Sequence, residues 1–173
     1  LVRWQHPERG LLLPAAFIPF AEESGLISEI GDHVLAVACA QLAEWTSLSY
    51  GLPPTISVNV SPRQLLDKQF PGRVESVLAA HGLEPAYLTL EITEGALIQD
   101  PELAAGRLKQ LRRLGVRIAI DDFGTGYSSL SYLQQFPIDQ LKIDRSFVAT
   151  MLARPGLSLA GAVIQIAHSL GIT

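Results

Sequence analysis

Cysteine is almost absent from this sequence, which has a single one, Cys39, among its 173 residues. One cysteine excludes an intramolecular disulfide, so we expect a reducing compartment, the cytoplasm. Cys39 lies in the apolar helical pattern HVLAVACAQLAEW, which favours a small buried thiol over a nucleophile. No run of about 18 apolar residues is present, so we expect no membrane contact within this chain. A membrane anchor would have to come from sequence outside it.

Positive charge and catalytic histidine motifs are also scarce. The net charge is −4, which argues against a nucleic acid polymer as a partner, because such binding relies on clustered basic residues. The chain has no Gly-x-Ser-x-Gly elbow, and its GTGYSS turn lacks the lysine of a phosphate-binding loop. The four histidines are scattered without metal-ligand spacing: His6, His33, His81 and His168.

The composition predicts one packed domain in which strands and helices alternate. Hydrophobic residues make up 48% of the chain and charged residues 17%, which disfavours disorder. Periodicity predicts strands at 55–60, 86–92, 116–121 and 139–144. It predicts helices at 31–45, 61–82 with a break near Pro71-Gly72, 100–115 and 157–171. Proline follows a capping side chain at Ser61-Pro62 and Asp100-Pro101, and Ser61 with Gln64 fits a capping box.

The placement of polar residues along the strands selects the fold class. Side chains alternate faces along a strand, and each predicted strand has one apolar face and one small or polar face. The polar face ends in Asn59, Glu91, Asp121 and, on the last strand, Lys142 or Asp144. In a doubly wound sheet both faces are covered, so strands would be apolar throughout. The pattern therefore predicts an α/β fold, a TIM-like (β/α) barrel with its chemistry at the C-terminal rim.

Oxygen donors dominate this predicted rim. Asn59, Glu91, Asp121 and Asp122 favour a hard divalent ion, Mg²⁺ or Mn²⁺, because clustered carboxylates need a neutralising cation. Alternation sends Asp121 and Asp122 to opposite faces, unless the strand end turns and lets both reach a pair of ions about 4 Å apart. Lys142 is positioned to orient a water or to touch a phosphate. A single strand-end aspartate is as often a turn former or a helix cap.

Several segments together resemble one known family. LVRWQHPERGLLLPAAFIPFAEESGLI, SVNVSPRQL, LEITEGAL, IAIDDFGTGYSSLSYLQQFPIDQLKIDRSFV and IAHSLGIT are similar to the EAL domain family of bacterial signalling phosphodiesterases. The resemblance covers essentially the whole chain. It implies a TIM-like barrel and hydrolysis of cyclic di-GMP to linear 5′-pGpG, with two Mg²⁺ or Mn²⁺ ions as cofactors and Ca²⁺ as an inhibitor.

The same resemblance implies a metal-ligand set in this sequence. Asn59, Glu91 and Asp121 match ligands of a first ion. Asp122 matches a ligand of the second ion, which Asp121 shares from its other side.

It also implies roles for four further residues. Lys142 resembles the group that holds the attacking water, and Asp144 is a neighbour of that group. Glu94 resembles the residue that anchors the loop following the aspartate pair. Arg3 matches an arginine that contacts a substrate phosphate.

The sequence departs from the family pattern at both ends. It begins at the leucine of the Glu-Ala-Leu motif and stops before a strand expected to bear another glutamate. A complete barrel needs roughly 250 residues. We therefore expect residues 1–173 to form a partial EAL-type phosphodiesterase domain without the first and last strands. Gly95, where the family commonly has serine, matters little.

Alternative functions remain open from the sequence alone. A catalytically inactive cyclic di-GMP receptor would keep the binding residues without turnover. An unrelated metal-dependent barrel enzyme or a protein–protein interaction domain fits the motifs less well. A homodimer, and fused sensor or diguanylate cyclase domains outside this chain, are further expectations from the resemblance.

Residues 1–173 alone are expected not to hydrolyse cyclic di-GMP, because part of the family's metal site is outside them. The measurement is a hydrolysis assay on the isolated fragment with Mn²⁺. Rapid turnover would contradict this expectation.

Overall fold

The computed structural model describes residues 1–48, 53–124, 135–145 and 159–173. Six strands lie in these ranges: β1 (Trp4–His6), β2 (Gly10–Leu12), β3 (Ile56–Val60), β4 (Leu88–Thr93), β5 (Arg117–Phe123) and β6 (Gln140–Ile143). Seven α-helices accompany them: α1 (Ile18–Ser24), α2 (Ile27–Leu48), α3 (Pro62–Leu66), α4 (Phe70–Ala80), α5 (Glu94–Ile98), α6 (Pro101–Leu114) and α7 (Leu159–Ser169).

The strands form two sheets. β1 and β2 make an antiparallel hairpin, and β3 to β6 make a four-stranded sheet in chain order. All three pairs in the larger sheet are parallel. Parallel neighbours require crossover connections, and helices supply them between β3, β4 and β5. The carboxyl ends of the four strands consequently meet at one edge.

One apolar core joins the sheet to the helices. Leu88, Leu90 and Ile92 alternate along β4 and are fully buried in a cluster that includes Leu42 of α2 and Leu108 of α6. This alternation is the pattern expected of a strand whose apolar face packs under helices. The core therefore holds the strands in the phase that the sequence predicts, with polar residues on the other face.

The predicted elements occur with shifted boundaries. The break predicted near Pro71-Gly72 lies a few residues earlier, because Pro71 is in the first turn of α4, where a proline needs no amide hydrogen. The chain instead leaves the helical conformation at Asp67, which is extended. β5 continues two residues past the predicted end at Asp121. The hairpin, α1 and α5 were not predicted, since strands of three residues and helices of five or seven residues carry little periodic signal.

Cys39 is buried in α2, as its apolar surroundings predict. Burial raises the pKa of its thiol to about 11, so the thiolate is disfavoured at neutral pH. Among the residues described, no helix is both long and apolar enough to cross a membrane.

Asp139 ties β6 to β5 at the end of the sheet opposite the polar rim. Its amide donates to the Ile118 carbonyl at 2.9 Å, and its Oδ2 accepts from the Ile118 amide at 2.8 Å. Its Oδ1 pairs with Arg112 at 3.0 Å. The side chain thus replaces a strand residue as the acceptor for Ile118, just before β6 begins.

Replacement of Asp139 by alanine is expected to destabilise the protein by about 1–3 kcal/mol, because the buried Ile118 amide loses an acceptor. Arg112→Ala is the control, since it removes only a partly exposed ion pair worth about 0–1 kcal/mol. Denaturant unfolding followed by circular dichroism measures both. Equal losses in the two variants would contradict the role given to the Asp139–Ile118 bond.

Candidate active site

The polar face of the sheet ends in neighbouring oxygen donors. Asn59 of β3 pairs in register with Glu91 of β4, and Thr93 of β4 pairs with Asp121 of β5. Asn59 is exposed, whereas Glu91 and Asp121 are partly covered. Parallel pairing therefore brings predicted site residues from three strands to the same edge.

The aspartate pair sits in a β-bulge. Ile120 pairs with Leu141 and Phe123 with Ile143, so two aspartates on β5 stand opposite one residue, Lys142, on β6. The extra residue shifts the alternation of side chains by one position. Phe123 therefore lies on the same buried face as Ile118 and Ile120. The strand therefore places Asp121 and Asp122 at a single pleat position.

Asp122 takes the unusual backbone conformation that this bulge requires. Its φ is 54°, and among the described residues it is the one non-glycine residue with a positive φ. Aspartate tolerates this left-handed region better than most residues, although side chains with a Cβ are strained there. Strained backbone of this kind collects at functional sites.

Lys142 links the carboxylates of two strands. Its ammonium lies 2.8 Å from Glu91 Oε2 and 3.1 Å from Asp121 Oδ1. Partial burial lowers the pKa of Lys142, but the hydrogen bonds to Glu91 and Asp121 outweigh it, so the pKa is raised overall. Lys142 is therefore cationic at neutral pH, and its single charge is shared between the two carboxylates.

Glu94 fastens the end of β5. It opens α5 directly after β4, is only 2% exposed, and accepts a hydrogen bond from the Gly124 amide at 2.8 Å. The loop that follows the aspartate pair was predicted to be anchored by Glu94. Its residues 125–134 lie outside the described ranges, so the contact is described only up to Gly124.

A cavity of about 1010 Å³ is lined mainly by α2 and β3, and it reaches the rim at Asn59, Glu91 and Thr93, with Arg3 also on its wall. Glu91 is shared between this cavity and the ion pair with Lys142. Nη1 of Arg3 donates to the carbonyls of Leu1 and Val2 at 3.1 and 2.9 Å, which holds the guanidinium near its own backbone.

Asp144 follows β6 and lies next to the end of β5. Its amide donates to the Phe123 carbonyl at 3.5 Å, which continues the β5–β6 contact past the bulge. Its backbone is thereby held close to the aspartate pair.

The sequence did not single out Gln64 and Thr93 as parts of the site. Both line the cavity, and Gln64 is only 2% exposed although its side chain is polar. The capping box of Ser61 and Gln64 was the available signal, and it suggests only a helix start. The position of Thr93 at the strand end beside Asp121 was a second signal.

The donor set suits a hard cation in its chemistry. Asn59, Glu91, Asp121 and Asp122 offer only oxygen, and two of the carboxylates already face one shared positive charge on Lys142. Over the described ranges, no three His, Cys, Asp or Glu side chains come close enough together to form a metal site by themselves. A metal ion would thus need the Asn59 amide or water as a further ligand.

Comparison with known proteins gives a consistent result. The family model for the EAL domain matches residues 1–173. The chain belongs to the EAL domain family. Its fold is correspondingly part of a TIM-like barrel, which confirms the predicted fold class.

Three relatives illustrate the match. An uncharacterized signaling protein of Caulobacter vibrioides is 50% identical over 173 residues, which cover 99% of this chain and 21% of that protein. The cyclic di-GMP phosphodiesterase PdeR of Escherichia coli is 42% identical over 173 residues, 99% of this chain and 26% of that protein. The solved structure of the PaMucR phosphodiesterase in complex with c-di-GMP has a TM-score of 0.90 and 41% identity, covering 99% of this chain and 70% of that chain.

Asp122→Gly is expected to be more stable than Asp122→Ala by about 1 kcal/mol, because only glycine adopts a positive φ without strain. Both variants lack the carboxylate, so their difference isolates the backbone term. Thermal unfolding measures it. At Asp121, whose φ is not positive, the order should reverse. A more stable alanine variant at position 122 would contradict the bulge geometry.

Proposed function

We propose that this EAL domain hydrolyses cyclic di-GMP to linear 5′-pGpG as part of a bacterial signalling protein. The observation that carries the proposal is the group formed by Glu91, Asp121 and Lys142, which lies beside Asn59 at the carboxyl ends of parallel strands. Clustered ionisable groups at this rim are typical of barrel enzymes. Of the residues named, Asn59 and Glu91 also line the cavity. The named functions of PdeR and PaMucR support the choice of substrate.

Two divalent ions, Mg²⁺ or Mn²⁺, are the proposed cofactors. Asn59, Glu91 and Asp121 would hold the first, and Asp121 with Asp122 would hold the second. Divalent ions at such sites neutralise phosphate charge and lower the pKa of water. The bulge supports this assignment, because it places Asp121 and Asp122 at one pleat position on the same face.

The remaining site residues are proposed to hold the attacking water and to bind the substrate. Lys142 holds a water through its ammonium, which its ion pairs keep charged and fixed in direction. Asp144 lies beside it at the end of β6. Arg3 lies on the cavity wall and is proposed to bind a phosphate of the substrate, a task suited to guanidinium.

Glu94 is proposed to act through position rather than contact with substrate. Its carboxylate holds the Gly124 amide, two residues after Asp122, so it restrains the chain that leaves the aspartate pair. Because backbone strain at Asp122 must be maintained by its surroundings, this bond supports the bulge.

The activity belongs to a longer protein in this proposal, because the chain spans only 21% and 26% of two relatives that it matches. The proposal includes fused sensor or diguanylate cyclase domains, assembly as a homodimer and a location in the cytoplasm. Each of these is a property of the whole protein.

Glu91→Gln in the whole protein is expected to lower cyclic di-GMP hydrolysis by about 100-fold or more, since outer-shell changes at metal sites already cost about 10–100-fold. Chromatography of the reaction with Mg²⁺ or Mn²⁺ detects 5′-pGpG. Glu102→Gln, on the exposed side of α6, makes the same chemical change and should leave the rate unchanged. Binding of cyclic di-GMP by the wild type without turnover would contradict the proposal and favour the receptor.

A further inference from the structure

Gly31 occupies a position where glycine is costly. It lies inside α2, a 22-residue helix, and has helical backbone without a positive φ. Glycine inside a helix is less favourable than alanine by about 1 kcal/mol. A backbone requirement does not explain it, so its reason must be a close neighbour.

That neighbour is the side-chain amide of Gln64. A Cβ at position 31 would fall directly on the oxygen, nitrogen and carbon of this amide. The Gln64 side chain therefore packs against the backbone of α2 at a place that a Cβ at position 31 would occupy.

The amide of Gln64 is not free to move aside. Its Oε1 accepts from the backbone amide of Ser61 at 3.3 Å and from Ser61 Oγ at 3.1 Å, and the backbone amide of Gln64 donates to Ser61 Oγ at 3.2 Å. Its Nε2 donates to Asp32 Oδ1 at 3.4 Å. Since Gln64 is only 2% exposed, displacement would leave polar groups without these partners in a buried place.

These bonds hold the connection between β3 and α3, which begins two residues after Asn59. β3 ends at Val60, and Ser61 is the N-cap of α3. Gln64 also lines the cavity that Asn59 and Glu91 line. The Gly31–Gln64 contact is therefore connected to Asn59 through the Ser61–Gln64 capping box and Val60.

We propose that Gly31 and Gln64 are positioning residues that set the place of the Asn59 amide relative to Glu91. The inference rests on the proposed function, in which Asn59 is a metal ligand. A side chain at position 31 displaces the Gln64 amide, the capping box opens, and the end of β3 shifts. Metal ligands that lose their supporting contacts bind more weakly.

Gly31→Ala in the whole protein is expected to weaken Mn²⁺ binding by about 10-fold, the lower end of the range for outer-shell partners. Titration calorimetry with Mn²⁺ alone measures the affinity without turnover. Gly106→Ala is the matched control, because Gly106 is exposed inside α6 and a Cβ there meets open space. It should raise the melting temperature slightly and leave Mn²⁺ affinity unchanged.

The double variant Gly31→Ala/Gln64→Ala separates positioning from simple loss of stability. Gln64→Ala alone should weaken Mn²⁺ binding, but Gly31→Ala should add no further loss in that background, because the displaced amide is gone. Strong coupling in both melting temperature and Mn²⁺ affinity is the expected result.

Two outcomes overturn the inference in different ways. The inference is overturned if Gly31→Ala binds Mn²⁺ as tightly as the wild type does. It is also overturned if the two substitutions have additive effects on Mn²⁺ affinity in the double variant. Either result would leave the proposed function intact. Absence of Mn²⁺ binding by the wild-type whole protein would overturn the proposed function, and this inference with it.

Discussion

Two carboxylates on neighbouring strands share one positive charge, and the arrangement of the rim depends on this. Glu91 and Asp121 would repel each other if both were ionised without a partner, and Lys142 removes that repulsion with contacts of 2.8 and 3.1 Å. The side chains of Glu91 and Asp121 are only 11% and 24% exposed, so water screens them incompletely. One ammonium offsets only part of the charge of two carboxylates, so the rim is suited to divalent ions, which would in turn attract an anionic phosphodiester.

The strand phase, and with it the place of Asn59, Glu91 and Asp121 at the polar rim, could be predicted from the sequence, because alternation is a local property. Leu88, Leu90 and Ile92 had to share one face, and Glu91 therefore had to lie on the other. Parallel pairing then made Asn59 and Glu91 neighbours. The oxygen donors indicated the class of ion, and the family motifs added the substrate, which the hydrophobic pattern does not reveal.

The bulge at the aspartate pair could not be predicted in the same way. Strict alternation separates Asp121 from Asp122, and only the pairing of Phe123 with Ile143 shows that one residue is extra. Bulges arise from the register between two strands, so one strand's sequence does not reveal them. The contact between Gly31 and Gln64 was hidden for a similar reason, because 33 positions separate the two residues and the capping box explained Gln64 locally.

The central claim is that the rim holds divalent ions through Asn59, Glu91 and the aspartate pair. Anomalous diffraction from crystals of the whole protein, grown with Mn²⁺, tests it most directly. Manganese between Asn59, Glu91 and Asp121, with a second ion beside Asp121 and Asp122, is the predicted result. Manganese bound elsewhere, with Lys142 still bridging Glu91 and Asp121, would contradict it.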